Sequence, residues 1–202
     1  MKRGEGLLFV VSAPSGAGKT TLCRALSDSV ENLTHSISYT TRKPRPGETD
    51  GRDYYFVTEE RFRNMVQAGD FAEWAQVHSN LYGTSRRVLS EMRTEGTDVI
   101  LDIDTQGAGQ IKEKCQDAVF IFIMPPSLEI LEERLRNRKS DNEAEIKKRM
   151  RRARDEIRDY TMYDYIIVNR DFDRALTELR SVVLAERCRT RLVEHAWIQG
   201  ML

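Results

Sequence analysis

Cysteine and histidine are both scarce in this chain. Its 202 residues include three cysteines, which are far apart in the sequence and outside any C-x-x-C spacing. Such a set forms neither a disulfide framework nor a zinc site, so we expect free thiols in a reducing compartment. The histidines are also scattered, at His35, His78 and His195, which argues against a metal site built on imidazole.

Net charge and long apolar runs are absent as well. Lysine plus arginine and aspartate plus glutamate each number 32, so no overall field attracts nucleic acid or an anionic membrane. No apolar run reaches the roughly 20 residues of a membrane span, and no secretory cleavage pattern follows the N-terminus. We expect one cytoplasmic domain without nucleic-acid or membrane partners, as a monomer or a small homo-oligomer.

A glycine-rich loop directly after an apolar run is the most informative segment. Residues 7–11 are followed by Ser12-Ala13-Pro14-Ser15-Gly16-Ala17-Gly18-Lys19-Thr20, and then by Thr21. Glycines without a Cβ let a backbone wrap around an anion and point several N–H groups at it. The lysine adds a positive charge at the β- and γ-phosphates, and the threonine hydroxyl can ligate Mg²⁺. The segment predicts a phosphate-binding loop for a nucleoside triphosphate.

One position of this loop departs from the strict pattern G-x-x-x-x-G-K-[ST], because the chain has Ala13 where the pattern has glycine. Alanine fits there if its φ angle is negative. Residues 20–30 place apolar side chains at helical spacing, so a helix N-terminus is expected to point at the same phosphates. The alternative is an incidental glycine- and serine-rich turn, which does not require this order of strand, loop, lysine and helix.

Strand-like and helix-like patterns alternate along most of the chain. Short apolar runs predict buried parallel strands at 7–11, 99–103, 119–123 and 165–168. Helical patterns occupy 85–95, 110–115, 127–138 and 173–194. This order predicts a three-layer α/β domain around a parallel core sheet.

Residues 36–77 break this alternation. Short strands are predicted at 36–41, 53–57 and 71–77, around one helix at 58–67. The segment therefore predicts a small α+β lobe inserted after the first strand and helix.

Side chains suited to a nucleoside monophosphate concentrate in this lobe. Arg42 and Arg45 lie three apart on a proline-stiffened segment, an arrangement suited to bidentate contact with phosphate oxygens. Tyr54 and Tyr82 supply hydroxyl donors. Glu73 lies among apolar neighbours, and its carboxylate accepts the hydrogen bonds that the N1–H and amine of guanine donate. Taken singly, these are a solvated basic loop, packing tyrosines and an outward-facing glutamate, but beside a phosphate loop they favour a nucleotide site.

The motifs, taken in order, resemble those of guanylate kinase of the bacterial type. The similarity covers about residues 6–188 and is far more specific than the phosphate loop alone. Its segments are SAPSGAGKT at 12–20, SYTTRKPRPGE at 38–48, GRDYYFV at 51–57, EWA at 73–75, YGT at 82–84, LDIDTQG at 101–107, IMPPS at 123–127 and YIIVN at 165–169.

This resemblance implies an enzyme that transfers the γ-phosphoryl group of ATP to GMP, with Mg²⁺ as cofactor. It also implies the P-loop nucleoside monophosphate kinase fold, with a core at 1–35, 86–125 and 160–202, a GMP-binding lobe at 36–85 and a helical lid region at 126–159. Carried over by position, GMP binding falls to Ser38, Arg42, Arg45, Tyr54, Glu73, Tyr82, Thr84 and Asp104.

Two carboxylates at the end of a predicted strand extend the expected site. We expect Asp102 and Thr20 on the metal side and Asp104 beside the nucleotide, although the sequence does not separate the two aspartates firmly. Capping of the following helix is the alternative role for Asp104.

Arginines further along the chain complete the site that the resemblance implies. Those that match arginines of the lid and its hinge, which clamp the ATP phosphates, are Arg134, Arg138 and Arg149. The expected catalytic set is Lys19, Arg42, Arg138 and Arg149. For the basic run at 147–154, a solvated helix with local ion pairs is the alternative.

Two other functions stay open at this point. A phosphosugar kinase of the same superfamily would not need the guanine-reading set of Ser38, Glu73 and Thr84. A non-catalytic guanylate kinase-like interaction module would not need an intact phosphate loop.

Overall fold

The computed structural model describes residues 4–77, 79–137, 142–193 and 198–202. Their strands are β1 (Leu8–Ser12), β2 (Leu33–His35), β3 (Tyr39–Thr40), β4 (Tyr55–Phe56), β5 (Phe71–Val77), β6 (Asn80–Ser85), β7 (Asp98–Asp102), β8 (Val119–Met124) and β9 (Tyr165–Val168). Their helices are α1 (Lys19–Ser29), α2 (Glu59–Ala68), α3 (Arg86–Thr94), α4 (Thr105–Lys114), α5 (Leu128–Asn137), α6 (Glu143–Arg158) and α7 (Phe172–Arg187). Short 3₁₀ turns lie at Asp159–Met162 and Thr190–Leu192.

Five strands form the parallel core sheet in the order β2-β7-β1-β8-β9. The central strand β1 is buried along its whole length, as its apolar run predicts. Val11 pairs with Asp102, so β1 and β7 end side by side at their carboxyl ends. That edge is where open α/β sheets bind ligands.

Helices cover both faces of this sheet and complete the three predicted layers. On one face, Leu22 and Leu26 of α1 pack with Leu179 and Val183 of α7 in a single apolar cluster. On the other face, a second cluster contains Leu89 of α3 and the α4 residues Ala108 and Ile111. The predicted α/β class with a parallel core sheet is therefore confirmed.

A second, four-stranded sheet has the order β4-β3-β6-β5 and is covered by α2. Phe62 of α2 stacks on Phe71 of β5 with ring centroids 4.5 Å apart. The helix begins after Thr58, whose hydroxyl accepts from the Arg61 N–H, and ends at Gly69 with φ of 72°. These boundaries lie within one residue of the predicted helix at 58–67.

Helices α5 and α6 pack against each other through a small apolar cluster of their own. The cluster comprises Leu131, Leu135, Ile146, Met150 and Ala153. On the exposed side, Arg136 of α5 forms ion pairs with Glu132 of the same helix and with Glu143 of α6. The residues between the two helices, 138–141, lie outside the described part of the chain.

Helix α4 is longer than the sequence pattern predicts. It begins at Thr105, whereas the apolar spacing predicts a helix only over 110–115. Gly107 and Gly109 lower the helix propensity of its first two turns, which hides them from a periodicity argument. An N-cap compensates, because the Asp104 carboxylate accepts from the Gly107 N–H at 2.9 Å.

Other elements also differ from the predictions. Strands β3 and β4 have two residues each and are shorter than the predicted strands at 36–41 and 53–57. The sequence predicts a helix up to residue 194, because no glycine or proline marks an earlier end, but α7 ends at Arg187. Strands β2 and β6 are not predicted at all, being short or interrupted by Gly83. That glycine is required, because a Cβ there would lie 2.9 Å from Phe71 Cδ1. Among the described residues, no helix has the length and apolar character to cross a membrane.

Candidate active site

A cleft of about 580 Å³ opens at the carboxyl ends of β1 and β7, between the core sheet, the second sheet and α6. Its volume lies in the range of small-molecule sites, roughly 300–1,000 Å³. The lining includes most of the predicted site residues: Ala13, Pro14, Ser15, Gly16, Gly18, Lys19, Thr20, Thr21, Ser38, Arg42, Arg45, Tyr54, Glu73, Tyr82, Asp102, Asp104 and Arg149.

The loop between β1 and α1 has the backbone that its glycines predict. Gly16 and Gly18 have φ angles of 99° and 95°, a region that favours glycine, whereas Ala13 keeps a negative φ. A Cβ at Gly18 would lie 2.5 Å from Asn169 Nδ2. That amide donates to the Ala17 carbonyl at 2.7 Å, so Asn169 holds the loop from the end of β9. Because its φ angle is negative, alanine at position 13 is compatible with the loop.

The N-terminus of α1 has no side-chain cap, in contrast to α2, α3, α4, α6 and α7, which all have one. Gly18 occupies the cap position, and the first turn contains no acidic residue. The uncapped N–H groups at Lys19, Thr20 and Thr21 leave positive partial charge at the cleft, which suits a phosphate group.

Lys19 and Asp102 form an ion pair at the floor of the cleft. The ammonium group also donates to the Ile103 carbonyl at 3.0 Å. Burial by itself would raise the pKa of Asp102, but the charge of Lys19, together with His35 and the hydrogen bond from Lys19, lowers that pKa. Burial would likewise lower the pKa of Lys19, but Asp102 raises it. Both groups are therefore charged at neutral pH, and the Thr20 side chain also lowers the pKa of Asp102.

The two arginines of the segment that follows β3 share one acidic partner. Arg42 Nη2 donates to Glu48 Oε1 at 2.8 Å, and the Arg45 N–H donates to Glu48 Oε2 at 2.7 Å. The Arg42 guanidinium also lies 5.4 Å from the Tyr54 ring centroid. Tyr54 and Tyr82 pack edge to face at 5.9 Å. Arg42, both tyrosine rings and the Arg45 backbone thus meet at one end of the cleft.

Glu73 lies inside the cleft with 3% of its surface exposed, so it is not an outward-facing strand residue. Its Oε1 accepts the Thr84 hydroxyl at 2.6 Å. Burial raises the pKa of Glu73 to about 7, against the opposing effect of the Thr84 hydrogen bonds. A buried carboxylate with this pKa exchanges its proton near neutral pH, so a ligand that donates hydrogen bonds to it favours the ionised form.

Asp104 takes the alternative role that the sequence left open, because it caps α4. It also accepts a hydrogen bond from Arg152 of α6 at 3.1 Å, and it lines the cleft. Arg152 is held in turn by Glu156, one helical turn further on, at 2.8 Å. Arg149 lies one turn earlier on the same helix, with Nη1 3.4 Å from the Ser15 hydroxyl. The cleft-facing side of α6 is therefore more than a solvated basic surface.

Two predicted arginines are not placed in the cleft. Arg134 of α5 donates to the Asn169 carbonyl at 2.9 Å. It therefore contacts the residue that holds the phosphate loop, and not the loop itself. Arg138 lies outside the described residues.

Five charged cleft-lining residues were not predicted: Arg24, Glu48, Asp53, Arg152 and Glu156. Arg24 donates to Asp53 at 2.6 Å and so joins α1 to the turn that precedes β4. A signal for Arg152 and Glu156 was present, since they follow Arg149 at helical spacing within the basic run. The Arg24–Asp53 pair joins positions 29 residues apart, and no local pattern predicts it.

The cleft has a phosphate loop at one end and the arginines Arg42 and Arg45 at the other. This pair of features defines a P-loop kinase that acts on a phosphorylated acceptor. A family model described as guanylate kinase matches residues 5–186. The guanylate kinase of Geobacter metallireducens is 58% identical over 94% of this chain and 93% of its own length. That of Geobacter sulfurreducens is 56% identical over 96% of this chain and 95% of its own.

Solved structures agree with these relatives. The crystal structure of guanylate kinase from Anaplasma phagocytophilum has a TM-score of 0.80 at 36% identity, covering 95% of this chain and 92% of that one. Shikimate kinase from Bacteroides thetaiotaomicron, at 16% identity and a TM-score of 0.51, covers 88% of this chain and 98% of its own and shares the fold alone. The chain belongs to the guanylate kinase family, and its activity is phosphoryl transfer from ATP to GMP.

Proposed function

We propose that the cleft binds the ATP phosphates at the loop of residues 13–21 and GMP at the end formed by β3, β5 and β6. The observation that carries this proposal is that one cleft joins the uncapped N-terminus of α1 to a buried carboxylate with a pKa near 7. The first end suits a phosphate group, and the second suits a base that presents two hydrogen-bond donors.

On the acceptor side, Arg42, Arg45, Tyr54 and Tyr82 hold the GMP phosphate. Glu48 keeps the Arg42 guanidinium oriented before GMP binds, because its carboxylate fixes one of the two terminal nitrogens. Glu73 reads the pairing edge of guanine while Thr84 holds its Oε1. Ser38 and Asp104 also line the cleft, and in this proposal they complete the guanosine site.

On the donor side, Lys19 leaves the Ile103 carbonyl and contacts the β- and γ-phosphates. Arg149, already at the edge of the loop beside Ser15, contacts the phosphoryl group in transfer together with Arg42 and Arg138. Arg134 supports the ATP site beside Asn169. Charge spreads over the oxygens of that phosphoryl group in the transition state, so cations fixed around it lower the barrier.

The donor set at the floor of the cleft fits Mg²⁺. Thr20 supplies a hydroxyl and Asp102 a carboxylate, the hard oxygen ligands that this ion prefers. Within the described residues no group of three or more histidines, cysteines or acidic side chains could hold a metal, so the remaining ligands would be phosphate oxygens and water. When bound, Mg²⁺ neutralises phosphate charge. Asp102 would be available to the ion once Lys19 contacts the phosphates.

The same proposal divides the chain into a core at 1–35, 86–125 and 160–202, a GMP-binding lobe at 36–85 and a lid region at 126–159. The lobe corresponds to the second sheet with α2, and the lid to the α5–α6 pair with its separate apolar cluster. We place the enzyme in the cytoplasm, as a monomer or a small homo-oligomer. Closure of lobe and lid would exclude water that otherwise accepts the phosphoryl group.

A panel of acceptors tests this function directly. With Mg-ATP as donor, a coupled assay for ADP should show turnover with GMP, and with dGMP to a lesser or similar degree. AMP, CMP and UMP should be poor acceptors, because none presents two adjacent donors to Glu73. Turnover with a phosphorylated sugar in place of GMP would support a phosphosugar kinase. Absence of turnover with every acceptor would support a non-catalytic interaction module.

The pKa of Glu73 predicts a pH dependence of GMP binding. Because the ionised carboxylate accepts from guanine, the Kd for GMP should rise as pH falls below about 7 and level off above it. Isothermal titration calorimetry between pH 5.5 and 8.5, a range chosen to bracket that value by roughly 1.5 units on each side, would measure this.

The GMP phosphate titrates near pH 6 and adds its own dependence. The matched control is Glu73→Gln, which should retain only the part due to the phosphate. Identical pH profiles for the wild type and this variant would contradict the assignment of Glu73.

A further inference from the structure

Strand β5, which contains Glu73, lies at the edge of its sheet. Among the residues that the structure describes, its one neighbour within that sheet is β6, and no strand pairs with the other side of its backbone. The register between the two strands also shifts between Phe71 and Glu73, which leaves Ala72 as an extra residue. A bulged edge strand is weakly held by its own sheet.

Helix α4 takes the place of the missing strand. The Gln110 side chain accepts from the Trp74 N–H at 3.2 Å and donates to the Trp74 carbonyl at 2.7 Å, as a neighbouring strand would. One turn later, Lys114 donates to the Ala72 carbonyl at 2.8 Å. The residues on both sides of Glu73 are therefore tied to α4.

The same face of α4 also touches the Glu73 side chain. Gly107, one turn before Gln110, packs so closely that a Cβ there would lie 2.4 Å from Glu73 Oε2. The carboxylate is thus enclosed by the Gly107 backbone on one side and the Thr84 hydroxyl on the other. Burial is unfavourable for the ionised form of this carboxylate, which is better solvated in water. The side chain therefore stays in the cleft only if the backbone of β5 holds it there.

We propose that Gln110 is a positioning residue for guanine recognition, which holds the backbone at Trp74 so that the Glu73 carboxylate stays in the cleft. The proposal rests on the function proposed above, in which Glu73 reads guanine. Without Gln110, the Trp74 N–H and carbonyl lose the two hydrogen bonds that hold them on the open edge. β5 then gains freedom at its bulge, and the carboxylate can turn toward water.

The test replaces Gln110 by methionine, which keeps the length and packing of the side chain and removes both hydrogen bonds. The readouts are kcat and KM for GMP, for IMP and for ATP. IMP lacks the 2-amino group of guanine, so the GMP/IMP ratio of kcat/KM measures how well the carboxylate meets that group. We expect the KM for GMP to rise and the GMP/IMP ratio to narrow, each by roughly tenfold. The KM for ATP and kcat at saturating GMP should change less than about twofold.

The matched control is Glu113→Met, an exposed position on the same helix, which should behave as the wild type. A second variant, Gln110→Glu, keeps the acceptor for the Trp74 N–H and loses the donor. Its second oxygen faces the Trp74 carbonyl and is repelled by it, so the variant should show the same selective change in at least equal measure. It also preserves a polar side chain if the methionine variant folds poorly.

A third comparison, Glu73→Gln, separates the two proposals. If Glu73→Gln narrows the GMP/IMP ratio and the Gln110 variants leave it unchanged, the positioning role of Gln110 is overturned and the function stands. If Glu73→Gln itself leaves the ratio unchanged, the assignment of the guanine reader fails. Parallel losses for GMP, IMP and ATP in the Gln110 variants would show a general structural role and would also overturn the proposal.

Discussion

Replacement of Lys19 by alanine should lower kcat for phosphoryl transfer to GMP by at least about 10²–10³-fold. One preorganised charge aimed at the developing transition state has an effect of this order, and no neighbouring side chain occupies the same position in the loop. Turnover at saturating Mg-ATP and GMP measures the effect. Lys147→Ala, an exposed lysine of α6, is a matched control that should leave kcat unchanged.

The ion pair with Asp102 adds a second expected effect of this variant. Alanine at position 19 leaves the Asp102 carboxylate buried without its partner, a change that costs roughly 3–5 kcal/mol in buried pairs. Thermal unfolding should therefore show a lower melting temperature for Lys19→Ala. The double variant Lys19→Ala, Asp102→Asn removes the stranded charge and should recover most of that loss, yet stay inactive.

The two measurements together distinguish a catalytic from a structural role of Lys19. Inactivity that persists after stability returns assigns the loss to the ammonium group itself. Recovery of turnover in the double variant would mean that the single variant is inactive only because it unfolds. Near-wild-type turnover of Lys19→Ala would contradict the phosphate-loop assignment.

How far the sequence predicts this fold depends on whether each element is specified locally. The strand β8 carries an unbroken apolar run, and α2 has both its cap at Thr58 and its stop at Gly69, so both were predicted within a residue. The helix predicted at α4 is too short because the first turns of α4 contain two glycines. Close packing against Glu73 requires one of these glycines, Gly107. Where packing sets the residue choice, local propensity fails as a guide.

The same distinction holds for the site. The phosphate loop was predicted because strand, glycines, lysine and helix lie within one segment of chain. The Asp102–Lys19 pair joins residues 83 apart, so its geometry could not be predicted, although both residues were placed in the site. The clamp of Gln110 on Trp74 depends on the approach of α4 to an edge strand, and neither the edge nor the bulge has a signal in the sequence.

Replacement of Glu73 by glutamine should remove most of the preference for GMP over AMP. Guanine presents two adjacent donors on its pairing edge, whereas adenine presents an acceptor beside a donor. An ionised Glu73 bonds the first pattern and repels the N1 lone pair of the second. Sites that match polar groups in this way discriminate by roughly 10⁴-fold, because a mismatch leaves buried polar groups unpaired.

Glutamine keeps the shape of Glu73, and its amide oxygen can still accept the Thr84 hydroxyl. Its amide nitrogen, however, is itself a donor and cannot accept the hydrogen bonds that guanine donates. At pH 8, where the wild-type carboxylate with its pKa of about 7 is mostly ionised, the KM for GMP should rise roughly 10–100-fold. The GMP/AMP ratio of kcat/KM should narrow by about 10²-fold or more, while the KM for ATP stays nearly unchanged. Full GMP/AMP discrimination by the variant, or a loss of ATP affinity before GMP affinity, would show that Glu73 does not read guanine.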